Sequence, residues 1–296
     1  MISVRRAETD ADLEAWRQVR LAVLPNERAA SVEEMRRAET PEQIVLLAEL
    51  DGAVAGGGIS GRSDLAGQGF IAPRVVPAAR RRGIGTALLR ALADHVEALG
   101  FDQAGTVVDD PGSLAFAERF GFREVDRDVE QVRAVGDEAW PAVPEGIELI
   151  SVAERPELFA RIYHELAREA LQDFALDRPI QVSLEDWERE WLTWPEGSFV
   201  ALAGGEIVGC AGLVKDEDHP ERAENSLTAV RRDWRRRGLA STLKRAVLAW
   251  AAENGIREIY TWTQRGNEGM RAANEKLGYV TRNVSIRVRG PLPLPR

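Results

Sequence analysis

Apolar and polar positions along this 296-residue chain follow a pattern that is written twice. "LLAELDGAVAGG" (46–57) reads as an apolar strand, a glycine-containing turn and a second strand ending in glycine, and "VALAGGEIVGCAG" (200–212) repeats that order. Short apolar runs joined through Asp51-Gly52 and through Gly204-Gly205 predict two β-hairpins. A third apolar run follows each hairpin (68–76 and 222–230). Beyond it the period changes to that of a helix, with Ile84, Leu88, Leu89, Leu92 and Val96 on one face in the first copy. Each copy then predicts a strand (102–108 and 257–263), a short helix (112–120 and 267–277) and a last strand. Ahead of each hairpin, a short strand (about 2–7, and 146–151) leads into helical segments (10–24 with 31–39, and 155–171 with 183–193).

Three landmarks make this a duplication. Gly205 lies 153 residues after Gly52, Gly238 lies 155 after Gly83, and Gly278 lies 157 after Gly121. The last pair sits in "FAERFGF" (116–122) and "ANEKLGY" (273–279). One order of motifs with so small a drift divides the chain into 1–135, a proline- and glycine-bearing acidic linker over 136–145, and 146–290, with a tail over 291–296. The prolines of "RGPLPLPR" (289–296) argue against a helix or a central strand there.

Composition narrows the class. With 44% hydrophobic and 29% charged residues and no run of about 18 apolar positions, the chain reads as globular without a membrane span. Its N-terminus lacks the apolar core of a signal peptide, so a cytoplasmic setting is expected. Cys210 is the one cysteine and the histidines number three, which excludes an internal disulfide and argues against a Cys/His zinc site; no metal is expected. A formal charge of −9 places the arginine clusters in an acidic background. That balance argues against nucleic acid as a partner and for local sites that hold small anions. A monomer or homodimer is expected.

The chemistry concentrates in "ARRRGIGTALLRAL" (79–92) and "WRRRGLASTLKRAV" (234–247). A strand that ends in such a turn and opens a helix presents unpaired backbone N–H groups and the positive end of the helix dipole, and a glycine lets phosphate oxygens approach. Neither copy has the lysine and earlier glycine of a G-x-x-x-x-G-K-[S/T] loop, nor the third glycine of a dinucleotide fingerprint.

Arg80-x-x-Gly83-x-Gly85 and Arg235-x-x-Gly238-x-Ala240 resemble the [R/Q]-x-x-G-x-[G/A] signature of the GNAT N-acetyltransferase superfamily. The closing Phe120-Gly121-Phe122 and Leu277-Gly278-Tyr279 are similar to that family as well. The resemblance implies an α/β (α+β) chain of two tandem GNAT folds, each a mixed, mainly antiparallel sheet flanked by helices. It implies acetyl-coenzyme A as co-substrate, its pyrophosphate held by the loop residues Arg80, Arg81, Arg82, Gly83, Ile84, Gly85 and Thr86, and by Arg235, Arg236, Arg237, Gly238, Leu239, Ala240 and Ser241. Its pantetheine arm would lie along Val75 and Val76, and along Thr228, Ala229 and Val230.

The family often supplies a proton to the leaving thiolate from a tyrosine five residues before the last aromatic of its closing motif. Here those positions are Ala117 and Asn274. "NEGMRAANEKLGY" (267–279) resembles an N-x-x-M-x-x-x-N-x-x-L-G-[F/Y] variant, which puts Asn267 on the coenzyme arm and makes Asn274 a candidate donor to the thiolate. Glu224, on the third strand of the second half, is the candidate base, and the first half has no carboxylate on its equivalent strand. The implied activity is acetyl transfer to a primary amine of a small molecule, centred on the second half. Acetylation of a protein or peptide, and a non-catalytic coenzyme A sensor, remain as alternatives.

Overall fold

The computed structural model of the chain describes residues 1–25, 27–173, 180–216 and 219–295. Two compact units are present, one formed by Met1–Arg127 with Ser285–Arg296 and the other by Asp128–Val284.

The first half of the chain contains β1 (Ile2–Arg6), α1 (Asp10–Val23), α2 (Val32–Arg37), β2 (Ile44–Leu50), β3 (Ala53–Arg62), β4 (Gly69–Val75), α3 (Ile84–Ala98), β5 (Gln103–Val108), α4 (Pro111–Glu118) and β6 (Arg123–Ala134). The second half contains β7 (Ile147–Ser151), α5 (Leu158–Ile162), a π-helical stretch over Tyr163–Ala167, α6 (Arg168–Gln172), α7 (Leu184–Glu190), β8 (Trp194–Ala203), β9 (Glu206–Lys215), β10 (Arg222–Val230), α8 (Leu239–Glu253), β11 (Glu258–Gln264), α9 (Glu268–Lys276) and β12 (Val280–Pro291). Both hairpins turn where the sequence placed them. Asp51 and Gly52 have φ of 54° and 86°, and Gly204 and Gly205 have 58° and 85°, as a two-residue turn matched to the strand twist requires.

In the first unit the sheet runs β1-β2-β3-β4-β5, and residues 286–291 of β12 add to β5. In the second it runs β7-β8-β9-β10-β11, and residues 128–134 of β6 add to β11. All these pairings are antiparallel except β4 with β5 and β10 with β11. The last strand of each sequence half therefore completes the sheet of the other half, and the compact units are cut differently from the sequence repeat. One expectation is corrected: residues 289–291 belong to β12, and Pro291 pairs with Gln103. A proline is tolerated there because it stands at the strand's end.

Each sheet is covered on both faces. In the first unit, Ile84, Leu88, Leu89, Leu92 and Val96 of α3 are all buried against Leu46, Ile71 and Ala104, while Trp16 and Val19 of α1 pack on Leu47 from the other side. The second unit repeats this, with Leu239, Leu243 and Val247 of α8 on one face and Leu158, Leu166 and Trp187 on the other. Cys210 lies in the latter core, fully buried, and burial pushes its thiol up to about 12. The linker has no regular structure but is tied down. Trp140 stacks edge-to-face on Phe199 at 5.6 Å and donates its indole N–H to Glu253 at 2.7 Å.

Candidate functional site

Both arginine–glycine turns fold alike, down to their strained residues. Arg81 and Arg236 each have φ of 63°, and Gly83 and Gly238, which open α3 and α8, have 87° and 82°. A side chain in the left-handed region costs about 1–2 kcal/mol. Its occurrence twice, at matching positions, marks the backbone shape as the thing selected. Alternating left- and right-handed residues aim successive N–H groups into one concavity, a nest for an anion.

The helix starts behind these turns are also left open. Side chains cap α1, α2, α4, α7 and α9, through Thr9, Ser31, Asp110, Ser183 and Asn267. At α3 and α8 no side chain caps the N-terminus, and neither first turn carries an acidic residue. The N–H groups of Ile84, Gly85 and Thr86, and of Leu239, Ala240 and Ser241, belong to these uncapped first turns. Buried Ile84 and Leu239 anchor each start in its core. Arg81 and Arg236 are exposed and form no ion pair with a described residue.

The flanking arginines are held, also in parallel. Arg80 donates Nε to the Val75 carbonyl at 3.3 Å and Arg235 to the Val230 carbonyl at 3.0 Å. In the second half a carboxylate adds to this. Asp173 at the end of α6 takes hydrogen bonds from Arg232 and Arg235, which hold its carboxyl down to about 2. Arg237 lies over the Trp234 ring at 4.7 Å. In the first half Arg82 faces Asp51 at 3.7 Å.

Next to each turn the sheet opens. β4 pairs with β5 only at Gly69↔Ala104 and Phe70↔Gly105, and β10 pairs with β11 only at Arg222↔Glu258, Ala223↔Ile259 and Glu224↔Tyr260. Beyond those points the parallel strands diverge, leaving the edge of β4 after Phe70 and that of β10 after Glu224 unpaired on the side of a cleft. Direction along the strand follows from neighbouring carbonyls. Those of Ala72 and Arg74 lie against β3, and that of Ala229 lies against β9. By the two-residue alternation of a strand, residues 73 and 75, and residues 228 and 230, point their polar groups into the clefts.

Here the halves part company. Pro73 corresponds to Thr228: their partners across the hairpin, Gly58 and Ala211, are the matched pair 153 residues apart. The first cleft therefore lacks an N–H that the second has. β10 also carries a bulge between Asn225 and Leu227 that β4 does not. The bulged residue, Ser226, has a buried hydroxyl with no hydrogen-bond partner among the described residues.

Glu224 stands at the last paired position before the second cleft opens, half-buried. Its neighbours Ala223 and Ile259 belong to the core under α8, so Glu224 and Tyr260 face the opposite side of the sheet. Asn267 caps α9, its side chain accepting from the Met270 N–H at 3.3 Å. Asn274 is fully buried and donates Nδ2 to Gln131 of β6 at 3.0 Å, while its Oδ1 has no partner among the described residues. Tyr279 is buried too, and burial raises its phenol above the ordinary range.

Three features escaped the sequence reading: the bulge, the Asp173 clamp, and a buried lysine, Lys244, bonded to Asn225. The repeat offered a signal for two of them. Lys244 aligns with Leu89, and the offset drift from 153 to 155 includes the bulge residue.

No cluster of His, Cys, Asp or Glu among the described residues is arranged to hold a metal, and no described helix is long and apolar enough to cross a membrane. The model of the acetyltransferase (GNAT) family matches residues 7–122 and again 159–279. A mycothiol acetyltransferase of Saccharomonospora viridis is 28% identical over 240 residues, spanning 76% of this chain and 75% of that protein. A solved tandem GNAT protein from the clavulanic acid biosynthesis pathway superposes with a TM-score of 0.80 at 20% identity, covering 98% of each chain. A GCN5-related N-acetyltransferase from Sphaerobacter thermophilus does so at 0.75 and 22% identity, over 98% of this chain and 95% of that one. With two nest-like turns, two splayed parallel pairs and the family model matched once in each half, the chain belongs to the GNAT acetyltransferase family and carries that fold twice.

Proposed function

We propose that this chain transfers an acetyl group from acetyl-coenzyme A to a primary amine of a small molecule, by direct attack on the thioester in the second half. One observation carries the choice of half: the second cleft keeps a backbone N–H at Thr228 where the first has Pro73. A carbonyl that gains negative charge during attack needs such a donor, and removing one commonly costs 10²–10³ in rate. In this reading the amides of residues 236–241 hold the coenzyme pyrophosphate, and Thr228, Ala229 and Val230 line its arm. The loop at 81–86, with Val75 and Val76, holds a second coenzyme without turning it over.

The amine nitrogen attacks the carbonyl carbon, a C–N bond forms, and the C–S bond breaks. Glu224 takes the proton that the amine loses, directly or through water, and coenzyme A leaves as a thiolate that takes up a proton from water to become its thiol. Asn267 positions the coenzyme arm from the start of α9. Asn274 supports the thiolate side, its engaged amide fixing α9 to β6 and its free Oδ1 bonding a water there. The names of the Saccharomonospora protein and of the clavulanic-pathway protein belong to small-molecule chemistry, which supports a small acceptor over a polypeptide. The reading includes a cytoplasmic monomer or homodimer with no metal and no nucleic-acid partner.

Thiol release from acetyl-coenzyme A, followed over a panel of small primary amines, tests this. Wild type is expected to turn over at least one amine. Glu224→Gln is expected to release thiol about a hundredfold more slowly, with acetyl-coenzyme A affinity within twofold of wild type. Tight coenzyme binding with no turnover on any amine would mean a sensor instead.

A further inference from the structure

The second half buries a polar trio where the first half is apolar. Lys244 of α8, Asn225 of β10 and Tyr279, which precedes β12, are each 2% exposed. Their counterparts are Leu89, Ile71 and Phe122, buried in the first core. The match of Asn225 to Ile71 follows from register, since their partners across the hairpin, Leu213 and Ser60, are 153 residues apart. A buried ammonium group is expensive unless paired. Lys244 has no carboxylate partner among the described residues: it donates to Asn225 Oδ1 and lies 5.2 Å from the Tyr279 ring centre. The chain's own first half demonstrates that this core closes without it.

Asn225 is the hub. Its Nδ2 donates to the Gly212 carbonyl at 2.8 Å and to the Leu227 carbonyl at 3.2 Å, spanning the bulge. Its Oδ1 accepts from Lys244 and from Thr228 Oγ1, the latter at 3.1 Å, and its backbone carbonyl accepts from Thr261 Oγ1 of β11 at 2.8 Å. These bonds tie the bulge to β9, to β11 at the cleft mouth and, through Lys244, to α8. A bulge re-aims the residue after it, and that residue's neighbour is Thr228.

We propose that Lys244 and Asn225 form a buried positioning pair that locks the β10 bulge and thereby aims the Thr228 amide at the acyl carbonyl of the bound thioester. The pair contacts neither coenzyme nor acceptor; it acts through Thr228. This rests on the reading that the second half holds the reactive thioester.

The test compares two defined probes, acetyl-coenzyme A and coenzyme A, by calorimetric titration, so no acceptor is needed. Wild type is expected to bind the acetylated form more tightly, and Ser241→Asp to abolish that preference. Lys244→Met is expected to lower the preference at least fivefold, to leave coenzyme A affinity within twofold, and to raise Tm. Thr228→Val, which keeps the amide and removes the hydroxyl held by Asn225, should lower the preference partway without loss of fold. A preference unchanged in Lys244→Met and Thr228→Val overturns the proposal. A joint fall of preference, coenzyme A affinity and Tm in Lys244→Met also overturns it, because that is what a merely structural residue would do. Retention of the acetyl preference in Ser241→Asp would instead remove the second-half reading, and the positioning role with it.

Discussion

At the scale of single residues, Lys244 offers a sharp thermodynamic handle. Burial lowers its folded-state pKa to about 7 from an ordinary 10.5. The unfolded chain therefore binds more protons than the folded one between those values. Stability rises with pH across that window, by at most about 1.4 kcal/mol per pH unit. The amine lies against Asn225 Oδ1 and the Tyr279 ring and pairs with no carboxylate among the described residues, so burial sets the sign. Thermal unfolding of wild type and Lys244→Met from pH 6 to 10 checks this. The variant's advantage is expected to be largest at pH 7 and below and to shrink toward pH 10, whereas parallel curves would place a charged lysine in water. In the sequence Lys244 passes for a solvated helix residue beside Arg245. Only its alignment with Leu89 shows that it stands at a core position. The arginine–glycine turns were legible for the opposite reason, because their residue types carry the anion chemistry directly.

Among elements, β10 and β4 differ in a way that predicts their chemistry. Both splay from a parallel neighbour, and both lead into a left-handed turn and an uncapped helix. Pro73 is tolerated in β4 because its nitrogen faces the cleft and no ladder hydrogen bond is lost. The same argument makes Thr228→Pro compatible with folding. That variant is expected to release thiol about a hundredfold more slowly than wild type, with coenzyme A affinity within a few-fold, by stopped-flow and calorimetry respectively. Unchanged turnover would show that the Thr228 N–H is not the carbonyl's donor. The elements themselves follow the period of the hydrophobic pattern closely, the strands by alternation and α3 by its five buried residues. The bulge did not: the extra residue inverts the alternation, but Ala223 before it and Leu227 and Ala229 after it are all buried because both faces of the sheet are covered.

For the whole molecule, the exchanged last strands decide which parts fold together. Residues 286–291 complete the first sheet and residues 128–134 the second. A chain nicked at an engineered protease site between Gly136 and Asp137 is therefore expected to stay together in size-exclusion chromatography and to separate only in denaturant. Two separate peaks in buffer would contradict the exchange. This feature was not readable in advance: a terminal strand's alternation shows which face is buried but not which sheet edge it joins. The duplication was readable, because glycines at turns and helix starts are fixed by backbone conformation and hold their spacing while the side chains around them diverge. The central claim, that the second half alone grips the thioester, is tested most directly by titrating acetyl-coenzyme A and coenzyme A into Thr86→Asp and Ser241→Asp. An acidic residue in the first turn suits a helix but repels a pyrophosphate. Each variant is expected to lose one coenzyme equivalent, with preference for the acetylated form surviving in Thr86→Asp and vanishing in Ser241→Asp; the reverse pattern would put the reactive site in the first half.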